Sequence, residues 1–318
     1  MSCGGINTKK RGIQDGVQIY GCNDCKHRWR NKKRVTKHQD IWNDFVFHKQ
    51  TIREIKNETG KDKKSVYKYL KEYIVSKKEV HKPRAIHLVI DTTYFGKRMN
   101  GTSWGVTLFR DYDQKENLWW KYVDTESASG YLEGKMFLEQ KGYIILSVTF
   151  DGFKGNIKVF EGIPSQICLF HMKRMIVRGT TLRPQTEAGK VLLALAHTLT
   201  KTSKEIFTQR IRKFHVQYAT LLNEKTIHPD GSWSYTHEGI RHAYQSIIHW
   251  YEYLFTFHTD KSIPNTTNTC EGHFSHIKDV LRIHRGMGLT LKRKVLDAIL
   301  LESTIAPELK KKNTENGD

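Results

Sequence analysis

The sequence is poor in cysteine, poor in acid and without long apolar runs. Five cysteines in 318 residues, Cys3, Cys22, Cys25, Cys168 and Cys270, do not read as a disulfide framework. No stretch approaches the roughly 18 consecutive apolar residues of a membrane-spanning helix, and the N-terminus is polar, without the apolar core of a secretory signal. The expected compartment is therefore the cytoplasm, with no membrane partner. The 33 Asp and Glu fall well short of the 53 Lys and Arg, leaving a formal net charge of +20. What is present, 38% hydrophobic and 11% aromatic residues, supports a sizeable core and argues against a wholly disordered chain. The length allows one large domain or two to three smaller ones.

The positive charge is concentrated. Residues 1–84 carry 22 Lys and Arg against 9 Asp and Glu, or +13, whereas the remaining 234 carry 31 against 24, or +7. Solubility alone accounts for a diffuse charge. A basic head on a nearly balanced body points instead to a polyanion-binding module ahead of a second function.

Within residues 1–35, "CNDC" pairs Cys22 with Cys25 at the spacing of a zinc knuckle, where two thiolates reach one tetrahedral ion. Cys3, followed by "GG", resembles the second half of an earlier knuckle that lacks its first cysteine. The readings left open are an absent ligand upstream, completion of the site by His27, a degenerate ribbon, or ordinary thiols. The basic strip that follows holds Lys26, Arg28, Trp29 and Arg30, suited to phosphate contact or simply solvated. Residues 39–77 read as a helix-turn-helix: Ile52 and Ile55 on one helix, a turn at Gly60, then Val66, Tyr69, Leu70 and Tyr73 on a second. Lys63, Lys64, Tyr67, Lys68 and Lys71 would be its exposed DNA-facing residues, although any small helical hairpin shares the spacing. "SKKEVHKPR" reads as a linker.

From Ala85 the pattern changes. "AIHLVIDTTYFG", "GVTLFRD" and "NLWWKYVDTES" read as three strands, "SGYLEGKMFLEQKG" as a helix through Leu132, Met136 and Leu138, and "YIILSVTFDGFKG" as a further strand. "SQICLFH", Ser165 to His171, reads as a last short strand. The order β-β-β-α-β-α-β predicts an α/β sheet with mixed strand directions. Two of the apolar runs end in aspartate, Asp91 and Asp151, and ligands of α/β sheets collect at carboxyl strand ends. If those strands are neighbours, the two carboxylates repel unless a divalent cation joins them. The alternative is that each aspartate only caps a turn.

Residues 180–260 read as an all-α insertion. Trp233 and Trp250, in or beside it, suit core packing better than stacking on an unpaired base. In "PNTTNTCEGHFSHIKDVLRIHRG", the stripe Phe274, Ile277, Leu281, His284 predicts a helix whose inward face also includes Glu271. A carboxylate facing a core requires a partner, and the strand-end aspartates suggest a shared metal ion. Lys278, Arg282 and Arg285 follow on the same helix, placed for DNA backbone contact or for solvent.

With "DTTYFG", "TFDGFKG", "CLFHMKR", "THEGIRHAYQSI", "YLFTF" and "IPNTTNTCEGHFSHIKDVLRIHRGMG" in order, the chain resembles bacterial insertion-sequence DDE transposases of the Mutator-like group, from His87 to about Leu300. The resemblance implies an RNase H-like catalytic domain, residues 85–175 and 262–302, interrupted by the 180–260 insertion. It implies a catalytic triad of Asp91, Asp151 and Glu271 holding two Mg²⁺ (or Mn²⁺) ions, with Asp91 bridging both. Cys168 and His171 match the group's C-x₂-H signature; as a bare pair they would position DNA or pack more readily than bind metal. Members often begin with a zinc ribbon and a helix-turn-helix, so Zn²⁺ on Cys3, Cys22 and Cys25 is implied, with one cysteine missing from the pattern.

The implied activity is metal-dependent cleavage and strand transfer on double-stranded DNA, at element ends and target, by a homo-oligomer associated with a bacterial nucleoid. A structure-selective endonuclease without joining, or a transposase-derived DNA-binding regulator, are the alternatives. Retention of all three acids argues against the regulator. The tail 303–318 is expected to be disordered.

Overall fold

The computed structural model describes residues 6–14, 17–30, 37–75, 81–96 and 103–302. Cys3, most of the 76–84 linker and the 303–318 tail lie outside them. The chain divides into two compact units, Met1–Val75 with Ile283–Val295, and Ser76–Arg282 with Leu296–Asp318.

The first unit opens with a three-stranded antiparallel sheet in the order β1 (Thr8–Gln14), β2 (Val17–Cys22), β3 (Arg28–Arg30). Three helices follow, α1 (Lys37–Val46), α2 (Ile52–Thr59) and α3 (Lys63–Glu72). Their boundaries are chemically specified. Thr51 and Glu54 form a reciprocal capping box at the start of α2, Gly60 ends it in the left-handed region (φ 64°), and the Asp62 side chain caps α3 at Ser65 N. Val66 and Leu70 of α3 are buried, as are Ile41, Trp42 and Phe45 of α1 and Ile55 of α2. Trp42 stacks on Tyr73 at 4.5 Å. The His284 ring lies 3.7 Å from that of Phe45 and its Nε2 bonds the Phe45 carbonyl oxygen at 2.8 Å.

The second unit contains a five-stranded mixed sheet, with strands β4 (Ala85–Phe95), β5 (Trp104–Asp111), β6 (Glu116–Val123), β7 (Ile144–Phe150) and β8 (Ser165–Ile167) in the order β6-β5-β4-β7-β8. β4, β5 and β6 form an antiparallel meander, while β7 and β8 join in parallel. Helix α4 (Ala128–Gln140) separates β6 from β7, and α5 (Gly155–Val159) separates β7 from β8. The mixed α/β order is compatible with the RNase H-like fold implied by the resemblance.

Three expectations are corrected. β4 does not stop at Asp91; it runs on to Phe95, because β5 continues to pair with it as far as Phe95↔Trp104. Leu132 and Met136 do not form the inner face of α4. Tyr131, Gly134 and Leu138 do, since only glycine at 134 lets the helix approach Phe109 and Trp119, where a Cβ would fall 2.6 Å from the Phe109 ring. The reading of Ser165–His171 as one strand also fails, because β8 ends at Ile167 and helix α6 (Leu169–Thr180) begins at once, placing His171 on a helix.

After α6 come α7 (Glu187–Thr198), α8 (Lys204–Asn223) and α9 (Glu238–Trp250), with side-chain caps at Thr186 and Ser203 for the first two. This stretch is not all-α. β9 (Lys225–Ile227) and β10 (Trp233–Tyr235) form a small antiparallel hairpin, whose turn carries Gly231 at φ 80° and Asp230 bonded to Ser232 N. Helices α6 and α9 touch backbone to backbone where Gly179 meets Gly239. Trp250 is buried as expected, whereas Trp233 is 52% exposed, with Lys225 Nζ 3.7 Å from its ring centroid. The chain returns through α10 (Asn268–Ile283) and α11 (Leu289–Glu302). One core joins the sheet to α4, α6, α7, α8 and α9. No described helix is long and apolar enough to cross a membrane.

Candidate active site

The register of β4 and β7 brings the two aspartates together. Val89 pairs with Thr149 in parallel, so Asp91 and Asp151 each lie two residues further along adjacent chains. β7 ends at Phe150, and Asp151 begins the turn beyond it, where its Oδ1 accepts a bond from Phe153 N at 3.1 Å. Asp91 is buried, with Oδ1 accepting from Thr92 N at 2.9 Å.

Glu271 arrives from α10. The buried stripe of that helix is Cys270, Phe274, Ile277 and Val280, so Glu271 stands beside it, half-buried, rather than at its centre. Its carboxylate and that of Asp151 both act on Asp91, whose carboxyl is pushed well above the ordinary range, first by burial, then by Asp151 and Glu271. Burial also raises Asp151, against the lowering effect of the Phe153 N–H. Among the described residues, no Lys or Arg forms an ion pair with any of the three; Glu271 has only His171, at 3.4 Å.

The Cys168–His171 pair acts on the loop that delivers Glu271. Cys168 N donates to Phe150 O at 2.7 Å, tying the start of α6 to the end of β7. Thr267 donates to Cys168 Sγ through both its N–H (3.3 Å) and its hydroxyl (3.4 Å). The His171 ring reaches Thr267 Oγ1 with Nδ1 (3.5 Å) and Glu271 with Nε2. Glu271 N in turn donates to Thr267 O at 3.1 Å. Thr149 Oγ1 bonds Pro264 O, and Leu169 N bonds Asn265 O, closing the loop onto β7 and α6. Burial lowers the His171 pKa, so the ring is neutral near pH 7 and serves as a tether.

Thr267 gave no sequence signal beyond its place in "NTTN". Glu126 was also missed. It accepts from Tyr131 Oη, which bonds Thr92 Oγ1 next to Asp91, and its charge adds to the upward shift of Asp91.

Three carboxylates that, among the described residues, pair with no Lys or Arg suit a hard dication by donor chemistry. They are not drawn into a closed cage: among the described residues, no three His, Cys, Asp or Glu groups converge as tightly as a formed metal site requires. In the N-terminal segment, Cys22 is buried, Cys25 is exposed, and Cys22 N bonds His27 O at 2.9 Å across the turn. Two thiols are half of the four ligands a structural zinc takes, and Cys3 falls outside the described residues.

Lys26 and Arg28 are exposed, Trp29 is half-buried with its ring 6.1 Å from that of Tyr20, and Arg30 closes β3. Lys63, Lys64, Lys68 and Lys71 are exposed on α3, with Tyr67 half-buried. Lys278, Arg282 and Arg285 are exposed, and Arg282 pairs with Asp279 at 3.2 Å.

No protein-family profile matches the chain, and no curated protein matches it. Among solved structures it is similar to the Drosophila P element transposase strand transfer complex, at 11% identity and a TM-score of 0.39, over 85% of this chain and 93% of that one. A likeness at that level identifies neither a family nor an activity.

Proposed function

We propose that the protein is a DNA transposase that binds the ends of an insertion sequence and catalyses divalent-metal-dependent cleavage and strand transfer. The observation that carries the reading is that Asp151 and Glu271, from two further elements, both act on the carboxyl of Asp91, with no Lys or Arg in an ion pair with any of the three among the described residues. Such an arrangement costs folding energy and is retained where a cation is to be held. Bound there, two divalent ions would activate the attacking oxygen and stabilise the leaving one.

The residues have separable tasks in this reading. Asp91, Asp151 and Glu271 hold the ions. Neutral His171, with its one N–H on Nε2, holds the Glu271 carboxylate, while Thr267 and Cys168 tie down the loop before it. The basic head, with α2 and α3 as a helix-turn-helix, supplies binding to duplex DNA. The motif resemblance selects transposition over simple hydrolysis, since a freed 3′-hydroxyl can replace water as nucleophile at the same site.

The test mixes the protein with labelled element-end duplex and Mg²⁺. Nicking at the ends is expected, followed by joining to a target plasmid. Asp91→Asn is expected to bind the duplex as wild type does and to leave it uncut. A variant that cuts at the wild-type rate refutes the site. Cutting without joining would establish an endonuclease instead.

A further inference from the structure

The exposed lysines of α3 fall on two faces. With Val66 and Leu70 turned into the core, Lys64 and Lys68 share one face, while Lys63, Tyr67 and Lys71, at i, i+4 and i+8, share another. That second face is one wall of a cleft of about 640 Å³. Its opposite wall is the turn between α10 and α11 and the start of α11, including Gly288, Thr290 and Lys294.

Both walls are fixed. Lys294 Nζ donates to the carbonyls of Leu70 (2.9 Å) and Lys71 (2.8 Å), the last turn of α3, and so fastens α11 to it. The Tyr67 hydroxyl lies 3.8 Å from where a Cβ on Gly286 would stand, reaching across the cleft. Among the described residues, no Asp or Glu lines it; the lining offers three lysines and two hydroxyls, from Tyr67 and Thr290. From Lys63 to Lys71 the wall extends about 12 Å at the 1.5 Å helical rise, long enough to follow several phosphates of one strand.

We propose that this cleft seats the sugar-phosphate backbone of one DNA strand, with Lys63 and Lys71 on phosphates, leaving the Lys64–Lys68 face to enter the adjoining groove. This rests on the reading of the head as a DNA-binding module. It adds the α10–α11 turn, which the helix-turn-helix pattern alone does not include. A run of cations without acids suits a regular polyanion, whose phosphates repeat at even spacing, better than an isolated anion.

Gly288 provides a clean probe. Nothing lies within 4 Å of a Cβ built there and its φ is ordinary, so a side chain fits without strain. The experiment is a salt titration of binding, by fluorescence anisotropy, with the full chain and two duplexes of unrelated sequence. Lys63→Gln and Lys71→Gln are expected to weaken binding to both duplexes alike, each lowering the slope of log K against log salt by about 0.9. Gly288→Glu should weaken both at least tenfold, with Gly288→Gln within twofold of wild type and melting curves unchanged. If wild type binds with a steep slope and these variants keep both slope and affinity, the backbone does not lie in the cleft, and DNA binding by the head survives. Loss confined to one duplex would mean sequence readout and overturn the backbone assignment. If wild type itself binds neither duplex, the cleft assignment and the DNA-binding reading fall together.

Discussion

His171 Nε2 stands 3.4 Å from Glu271 Oε1, while its Nδ1 faces the hydroxyl of Thr267 four residues earlier in the chain. One half-buried ring therefore contacts both the loop before α10 and the carboxylate at its first turn. His171→Ala is expected to reduce cleavage about 10–100-fold, the usual cost of losing a group that orients a metal ligand, with DNA affinity unchanged. Single-turnover kinetics over a Mg²⁺ titration should show the loss shrinking as metal rises. Equal loss at all concentrations would assign the ring a different role.

The same ring has a consequence for stability against pH. Its folded-state pKa is lowered, chiefly by burial. Below the ordinary value of about 6.5 the unfolded chain takes up a proton that the folded chain resists. Stability is thus present above that pH and lost as pH falls toward the folded value. His171→Gln should flatten the fall in melting temperature in this window. An unchanged pH profile would argue against a ring kept neutral by the fold.

Asp91 carries the opposite sign. A carboxyl with a raised folded pKa favours the fold while protonated and loses that contribution as pH rises through its folded value. At neutral pH without metal, Asp91→Asn should therefore raise the melting temperature. For a unit of this size each kcal/mol corresponds to about 2–4 °C. A stabilised but inactive variant is the expected pair of outcomes from thermal melts and cleavage assays.

Helices α6 and α9 meet where a Cβ on Gly179 would stand 2.1 Å from the Gly239 carbonyl oxygen. Gly179→Ala must push the two backbones apart. Overpacking of this kind costs about 1–3 kcal/mol or more, read as a lowered denaturation midpoint. A melt equal to wild type would contradict the packing of these two helices.

Much of the five-stranded sheet was legible because its cues are local. The apolar β-rich runs ending at Asp91 and Asp151, and the 3.6-residue stripe after Glu271, follow from burial alone. What escaped depends on partners distant in sequence. β4 passes Asp91 because β5 pairs with it as far as Trp104. The inner face of α4 is set by the one glycine that admits Phe109 and Trp119, not by its apolar residues. His171 lies on a helix because β8 stops at Ile167, and nothing within "SQICLFH" marks that boundary. Thr267 is one threonine among several until Cys168 and His171 close on it. The Lys225–Ile227 and Trp233–Tyr235 hairpin is too short for period-two alternation to stand out within a helical stretch.

The central claim is that Asp91, Asp151 and Glu271 form one divalent-cation site. Calorimetric titration of Mn²⁺ into the DNA-free protein tests it without relying on turnover. Wild type should bind Mn²⁺ and gain melting temperature with it, while Asp91→Asn and Asp151→Asn each lose at least tenfold in affinity and most of that gain. Wild-type Mn²⁺ affinity in both variants would contradict the account.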